Sequence, residues 1–138
     1  MTTPSTIVVA AAVVERDDCF LVTRRLEGTH LAGTWEFPGG KCEPGEDRDA
    51  CLVREMDEEL GVAATVGPLI FSTRHAYHDR VVELYFYSCA IEGEPLPQLG
   101  QQMQWVPRDM LTSLEFPPAD EELIRKLSAG EEPCGAGR

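Results

Sequence analysis

The sequence predicts a single α/β domain, a mixed central sheet with a helix packed on each face in an α/β/α sandwich. Three observations predict it. Runs of apolar or β-branched residues at 6–14, 19–23, 64–73 and 81–90 have strand length and are separated by turn-forming residues. Residues 47–60 and 119–128 space their apolar side chains at helical intervals. The 138-residue chain is long enough for one hydrophobic core and too short for two, so one domain is assigned to residues 1–130 and a flexible tail to 131–138.

In chain order, the strands at 6–14 and 19–23 flank the turn-like Arg16, Asp17 and Asp18 and form a hairpin. Residues 27–34, with Gly28 and Gly33 among polar neighbours, read as a loop before Trp35, Glu36 and Phe37, and Pro38-Gly39-Gly40 breaks regular structure. The helix at 47–60 carries Ala50, Val53, Met56 and Leu60 as an apolar stripe, and Gly61 stands where a C-terminal cap belongs. A second hairpin joins the strands at 64–73 and 81–90 through the polar segment 75–79. The Gly- and Pro-rich stretch 92–102 is a loop, 103–106 a short strand, and Pro117-Pro118 introduces the last helix, with Leu123, Ile124 and Leu127 on its apolar side.

The composition narrows the function. With 12 basic against 24 acidic residues the net charge is −12, which argues against an extended surface for a nucleic acid polymer. A polyphosphate ligand stays open if metal cations supply the positive charge. No apolar run approaches the roughly 20 residues that span a bilayer, and Met1 to Thr6 lack a basic signal-peptide region, so the expectation is a soluble, cytoplasmic protein without membrane association. Five cysteines, none at CxxC spacing, with three histidines suggest neither a zinc knuckle nor a disulfide framework and read as reduced thiols.

The chemistry concentrates in residues 40–62. At about 100° per residue, Glu55, Glu58 and Glu59 project from one helical face while Val53, Met56 and Leu60 turn to the core. Like charges at these spacings disfavour a bare helix by about 0.2–0.5 kcal/mol per i,i+4 pair. Two arrangements answer that cost, a solvated acidic face or a divalent cation such as Mg²⁺ or Mn²⁺, and periodicity alone does not choose between them.

The same segment resembles the Nudix box: Gly, five residues, Glu, seven residues, then R-E-U-x-E-E-x-G-U with U bulky and aliphatic. Gly40, Glu46, Arg54, Glu55, Met56, Glu58, Glu59, Gly61 and Val62 fill its fixed positions, with Met56 as the bulky apolar residue. The resemblance implies a Nudix-type α/β/α sandwich with Mg²⁺, or Mn²⁺, held by Glu55, Glu58, Glu59 and the Gly39 carbonyl. It implies that Arg54 and Glu46 hold those carboxylates in place, and that hydrolysis cuts a nucleotide diphosphate linkage. Which glutamate accepts the water proton stays open.

Outside the box, residues 23–25, 35–41 and 116–121 are similar to MutT-type nucleoside triphosphate pyrophosphohydrolases. Carried over by position, Arg25 and Phe37 would border the base, Arg80 would approach the nucleotide, and Asp120 would read the base edge. Gln104 replaces the glutamate ligand such enzymes often place before the late-strand tryptophan, here Trp105, and Asp120 replaces an Asn. A carboxylate only accepts hydrogen bonds unless protonated, whereas an amide does both. The expected activity is release of monophosphate and pyrophosphate from a nucleoside triphosphate, favouring an oxidised nucleotide such as 8-oxo-dGTP. CTP, dCTP or 5-methyl-dCTP hydrolysis and a non-catalytic nucleotide sensor are the alternatives; oligomeric state, metal count and general base are left undetermined.

Overall fold

The computed structural model describes residues 5–28 and 32–130. The predicted tail and Cys134 lie outside the described residues.

Strands β1 (Ser5–Val13), β5 (Gly39–Lys41), β6 (Ala63–Ala76) and β7 (Arg80–Glu92) form a mixed sheet in the order β5-β1-β7-β6. β1 and β7 run parallel, Ile7 opposite Val82 and Ala11 opposite Phe86, and the other pairs are antiparallel. Strands β2 (Glu15–Arg16), β3 (Cys19–Arg24) and β4 (Trp35–Glu36) form a second antiparallel sheet, and β8 (Met103–Pro107) pairs with β3. Helix α1 is Arg48–Leu60 and α2 is Glu121–Ser128. Short 3-10 turns at Arg108–Ser113 and Pro118–Asp120 lead into α2.

The predicted layering follows from strands buried on both faces. Ala11, Val13, Phe20 and Val22 pack with Phe37, Phe86 and the α2 residues Leu123, Ile124 and Leu127. The alternate residues Ala10, Ala12, Val14 and Leu21 pack with Cys51, Leu52, Met56 and Leu60 of α1. Truncating a fully buried leucine such as Leu52 to Ala would cost about 2–5 kcal/mol.

Several local expectations shift. Pro38-Gly39-Gly40 does not end regular structure, because Gly39, Gly40 and Lys41 pair with Ala11, Ala10 and Val9. The predicted α1 stripe is displaced: Ala50 is exposed and Val53 is 41% exposed, whereas Cys51 and Leu52 are buried. The first turn of the helix therefore meets the sheet through a neighbouring row of side chains. Asp17 and Asp18 both have positive φ, the conformation of a tight hairpin turn, so β2 reaches Arg16. β6 continues to Ala76, leaving residues 77–79 as the turn. The segment 108–113, unassigned from sequence, is a 3-10 turn, and α2 starts two residues later than expected because residues 118–120 form another. Gly61 does cap α1, at φ 66°, its N–H donating to the Asp57 carbonyl at 3.0 Å. Among the described residues no helix is long and apolar enough to cross a membrane, and Cys19, Cys42, Cys51 and Cys89 are free thiols.

Candidate active site

The wheel of α1 sorts its three glutamates by depth. Moving away from the buried Leu52 row, Glu59 comes first, Glu55 about 40° further out, and Glu58 about 60° beyond that. Exposure follows this order of direction: the Glu55 side chain is 14% exposed and that of Glu58 is 56% exposed. Glu55 and Glu59 line a cavity of about 600 Å³; Glu58 does not. The single face expected from periodicity is thus divided, with Glu58 turned to Arg54.

Arg54 organises this acidic segment. Its Nε and Nη2 donate to the two Glu46 carboxylate oxygens at 2.9 Å, and its Nη1 donates to Glu55 at 2.8 Å and to Glu58 at 3.4 Å. Nη2 also reaches the Lys41 carbonyl at 3.2 Å, tying the helix to the end of β5. Glu46 in turn accepts from the Glu43 N–H at 2.9 Å. The Arg54 bond, with that backbone bond, holds the Glu46 carboxyl down at about 2.

Two glycines make the close approach possible. A Cβ on Gly40 would lie 2.3 Å from a Glu55 carboxylate oxygen, and one on Gly39 would lie 2.1 Å from the Ala10 carbonyl oxygen. Only glycine lets β5 run this close to both β1 and the α1 carboxylates.

Glu59 has no ion pair among the described residues. Burial, with the charges of Glu55 and Glu36 added, pushes its carboxyl up to about 8, and the Gly39 backbone N–H bond offsets part of that. Such clustered, desolvated carboxylate oxygens beside the Gly39 backbone are the hard donors that suit Mg²⁺ or Mn²⁺. Among the described residues no three acidic, His or Cys side chains are already converged as a ligand set. The residues fit a divalent cation in chemistry, with Glu55 and Glu59 able to hold it.

The same cavity is also lined by Ile7, Val9, Val82 and Leu84 of β1 and β7 and by Asp120. Its size is that of a small-molecule site. Asp120 is 5% exposed, and burial together with the Glu36 charge pushes its carboxyl up to about 7. Arg25 pairs with Glu36 at 2.8 Å, both lining the cavity; burial still leaves Glu36 above the usual carboxylate range. Arg80 also lines it, and its buried Nε has no partner among the described residues. Phe37 reaches the cavity but is 3% exposed, stacked on Phe116 at 5.6 Å and edge-on to Phe86 at 6.1 Å, so it is foremost a core residue.

Sequence reasoning missed Glu36 and Tyr77 as lining residues. A lone acidic residue between Trp35 and Phe37 was the available signal for Glu36; Tyr77 gave none. Gln104 is exposed in β8 opposite Val22 and lines none of this cavity. A cavity of about 710 Å³ on the opposite face of β1 and β7, walled by Thr6, Val8, Glu83 and Tyr85, contains neither Glu55 nor Glu59.

Residues 9–126 match the NUDIX domain model, and the chain belongs to that family. It is 36% identical over 123 residues to the 8-oxo-dGTP diphosphatase of Haemophilus influenzae, covering 88% of this chain and 90% of that one. It is 35% identical over 124 residues to the CTP pyrophosphohydrolase of Escherichia coli, covering 89% and 92%. The solution structure of the E. coli ORF135 protein superposes with a TM-score of 0.81 at 34% identity, covering 91% of each chain.

Proposed function

We propose that this Nudix hydrolase converts a nucleoside triphosphate to its monophosphate and pyrophosphate with Mg²⁺ or Mn²⁺, and that its favoured substrate is an oxidised nucleotide such as 8-oxo-dGTP. The observation that carries this is one cavity lined both by the Glu55 and Glu59 carboxylates and by the buried carboxyl of Asp120. That layout suits a ligand with a polyphosphate and a base. The relatives named for 8-oxo-dGTP and CTP hydrolysis support the substrate class.

In this reading Glu55, Glu59 and the Gly39 carbonyl hold the cation, and Glu58 joins them by leaving Arg54. When bound, the cation polarises a phosphoryl group, activates water and offsets the charge of the leaving pyrophosphate. Arg54 orients Glu55 through its 2.8 Å bond, while Glu46 braces the guanidinium. Arg25 and Arg80 present cations to the nucleotide on the cavity wall. The apolar β1–β7 wall excludes water from the base.

Asp120 departs from the acceptor-only role expected of a carboxylate. With its carboxyl raised to about 7, both protonation states are populated near neutrality, so it can donate as well as accept. It thereby recovers the two-way hydrogen bonding of the Asn it replaces. The ionised form suits the N7–H of an oxidised guanine or the N4 amino group of cytosine, which keeps CTP or dCTP hydrolysis as the second reading.

Pyrophosphate release with Mg²⁺ across a panel of dGTP, 8-oxo-dGTP, CTP, dCTP and 5-methyl-dCTP tests all of this. A kcat/KM highest for 8-oxo-dGTP supports the first reading and one highest for a cytosine nucleotide the second. No turnover of any member would leave a nucleotide sensor and overturn both.

A further inference from the structure

The C-terminal end of α1 exposes carbonyls that the helix cannot satisfy, and its last turn has no basic residue to help. The loop before β8 supplies the donors. Leu96 N–H bonds the Leu60 carbonyl at 3.0 Å, and Gln98 N–H bonds the Glu59 carbonyl at 2.9 Å. A side chain adds a third bond: Gln101 Nε2 donates to the same Glu59 carbonyl at 3.1 Å. Gln101 Oε1 meanwhile accepts from the Leu99 N–H at 2.9 Å.

Gln101 is 8% exposed, one of few buried polar residues among those described. It borders a cavity of about 120 Å³ together with Glu59, Glu36, Arg25 and Thr23. The late loop therefore meets the carboxylate end of the site from behind through Gln101, while Gln104, the position singled out from sequence, stays in solvent. Gln101 uses its N–H and its carbonyl oxygen at once, a pairing that an amide can make and an ionised carboxylate cannot.

Resting on the proposed role of Glu59 as a metal ligand, we infer that Gln101 is a positioning residue: its carboxamide clamps the Glu59 backbone to the late loop and thereby sets the Glu59 carboxylate for the cation. Without the clamp the last turn of α1 keeps its packing through buried Met56 and Leu60 and the Gln98 N–H bond to the Glu59 carbonyl, but loses the side-chain bond that ties Glu59 to residue 101. The loss should therefore appear in metal affinity more than in folding.

Two substitutions in the full chain test this. Gln101→Met keeps length and volume without donor or oxygen acceptor, and Gln101→Asn keeps the amide on a stem too short to span both partners. Free Mn²⁺, followed by electron paramagnetic resonance without nucleotide, reads binding directly. The Mg²⁺ dependence of turnover and the melting temperature in EDTA complete the set. Both substitutions should weaken Mn²⁺ binding about tenfold, the low end for groups that hold a ligand in place. The Mg²⁺ concentration for half-maximal rate should rise by the same factor, with lost rate recovered at higher Mg²⁺, and the EDTA melting temperature should change little. Mn²⁺ affinity within twofold of the parent in whichever variant folds would overturn the inference. Glu59→Gln in the same assay separates the two levels. If it also keeps parental Mn²⁺ affinity and rate, the metal assignment fails; if it alone loses both, only the role of Gln101 fails.

Discussion

Replacing Asp120 by Asn removes a buried ionisable group while keeping its shape, and the structure gives the size and pH dependence of the effect. Burial and Glu36 move the Asp120 carboxyl from 3.8 to about 7. At 1.36 kcal/mol per unit, an ionised Asp120 costs the fold about 4 kcal/mol. Because the folded value lies above the unfolded one, the folded state holds more protons between about pH 4 and pH 7. Stability is fully retained below pH 4 and declines as pH rises through that window, levelling off above it. Asp120→Asn should therefore match the parent near pH 4 and exceed it by up to about 4 kcal/mol at pH 8, roughly 10 °C or more in Tm for a chain of this size. Thermal unfolding followed by circular dichroism in EDTA, at pH 4.5 and pH 8, measures the gap without metal linkage. A Tm difference equal at the two pH values would refute the buried titration. Asp120→Ala then tests base reading separately: relative kcat/KM values should change about 10- to 100-fold across the nucleotide panel. Unchanged ratios would return Asp120 to a helix-start role.

Glu59→Gln should lower kcat at least about a hundredfold at saturating Mg²⁺ with a native circular dichroism spectrum, because the amide keeps size but loses ligand charge; a near-parental rate would sink the metal assignment. Gly40→Ala should lose at least about tenfold in kcat/KM, since its Cβ would stand 2.3 Å from a Glu55 carboxylate oxygen and push that group off its position; steady-state kinetics showing parental values would contradict the close approach. Millimolar Mg²⁺ or Mn²⁺ should raise Tm, by the equivalent of about 2.7 kcal/mol at a hundred times Kd, because the ion binds only the assembled site; differential scanning fluorimetry with no shift would count against a metal held by these glutamates.

The α/β class, the helix at 47–60 and its cap at Gly61 were legible in the sequence because each depends on neighbours within a few residues: apolar spacing, turn residues and a position that needs positive φ. The motif from Gly40 to Val62 was legible for the same reason, being one loop and one helix read in a single pass. Tertiary structure alone decided how that helix is turned. Its buried row is chosen by the sheet it meets, which places Glu55 and Glu59 in the cavity, leaves Glu58 on Arg54, and exposes Val53. The strand at Gly39–Lys41 was invisible because its partner, β1, lies about thirty residues earlier and glycine carries no strand preference of its own. Glu36, Gln101 and the raised carboxyl of Asp120 escaped notice for a related reason. Burial and charge are sums over neighbours brought together by the fold, such as Glu36 beside Asp120, and no local pattern records which distant side chains will supply them.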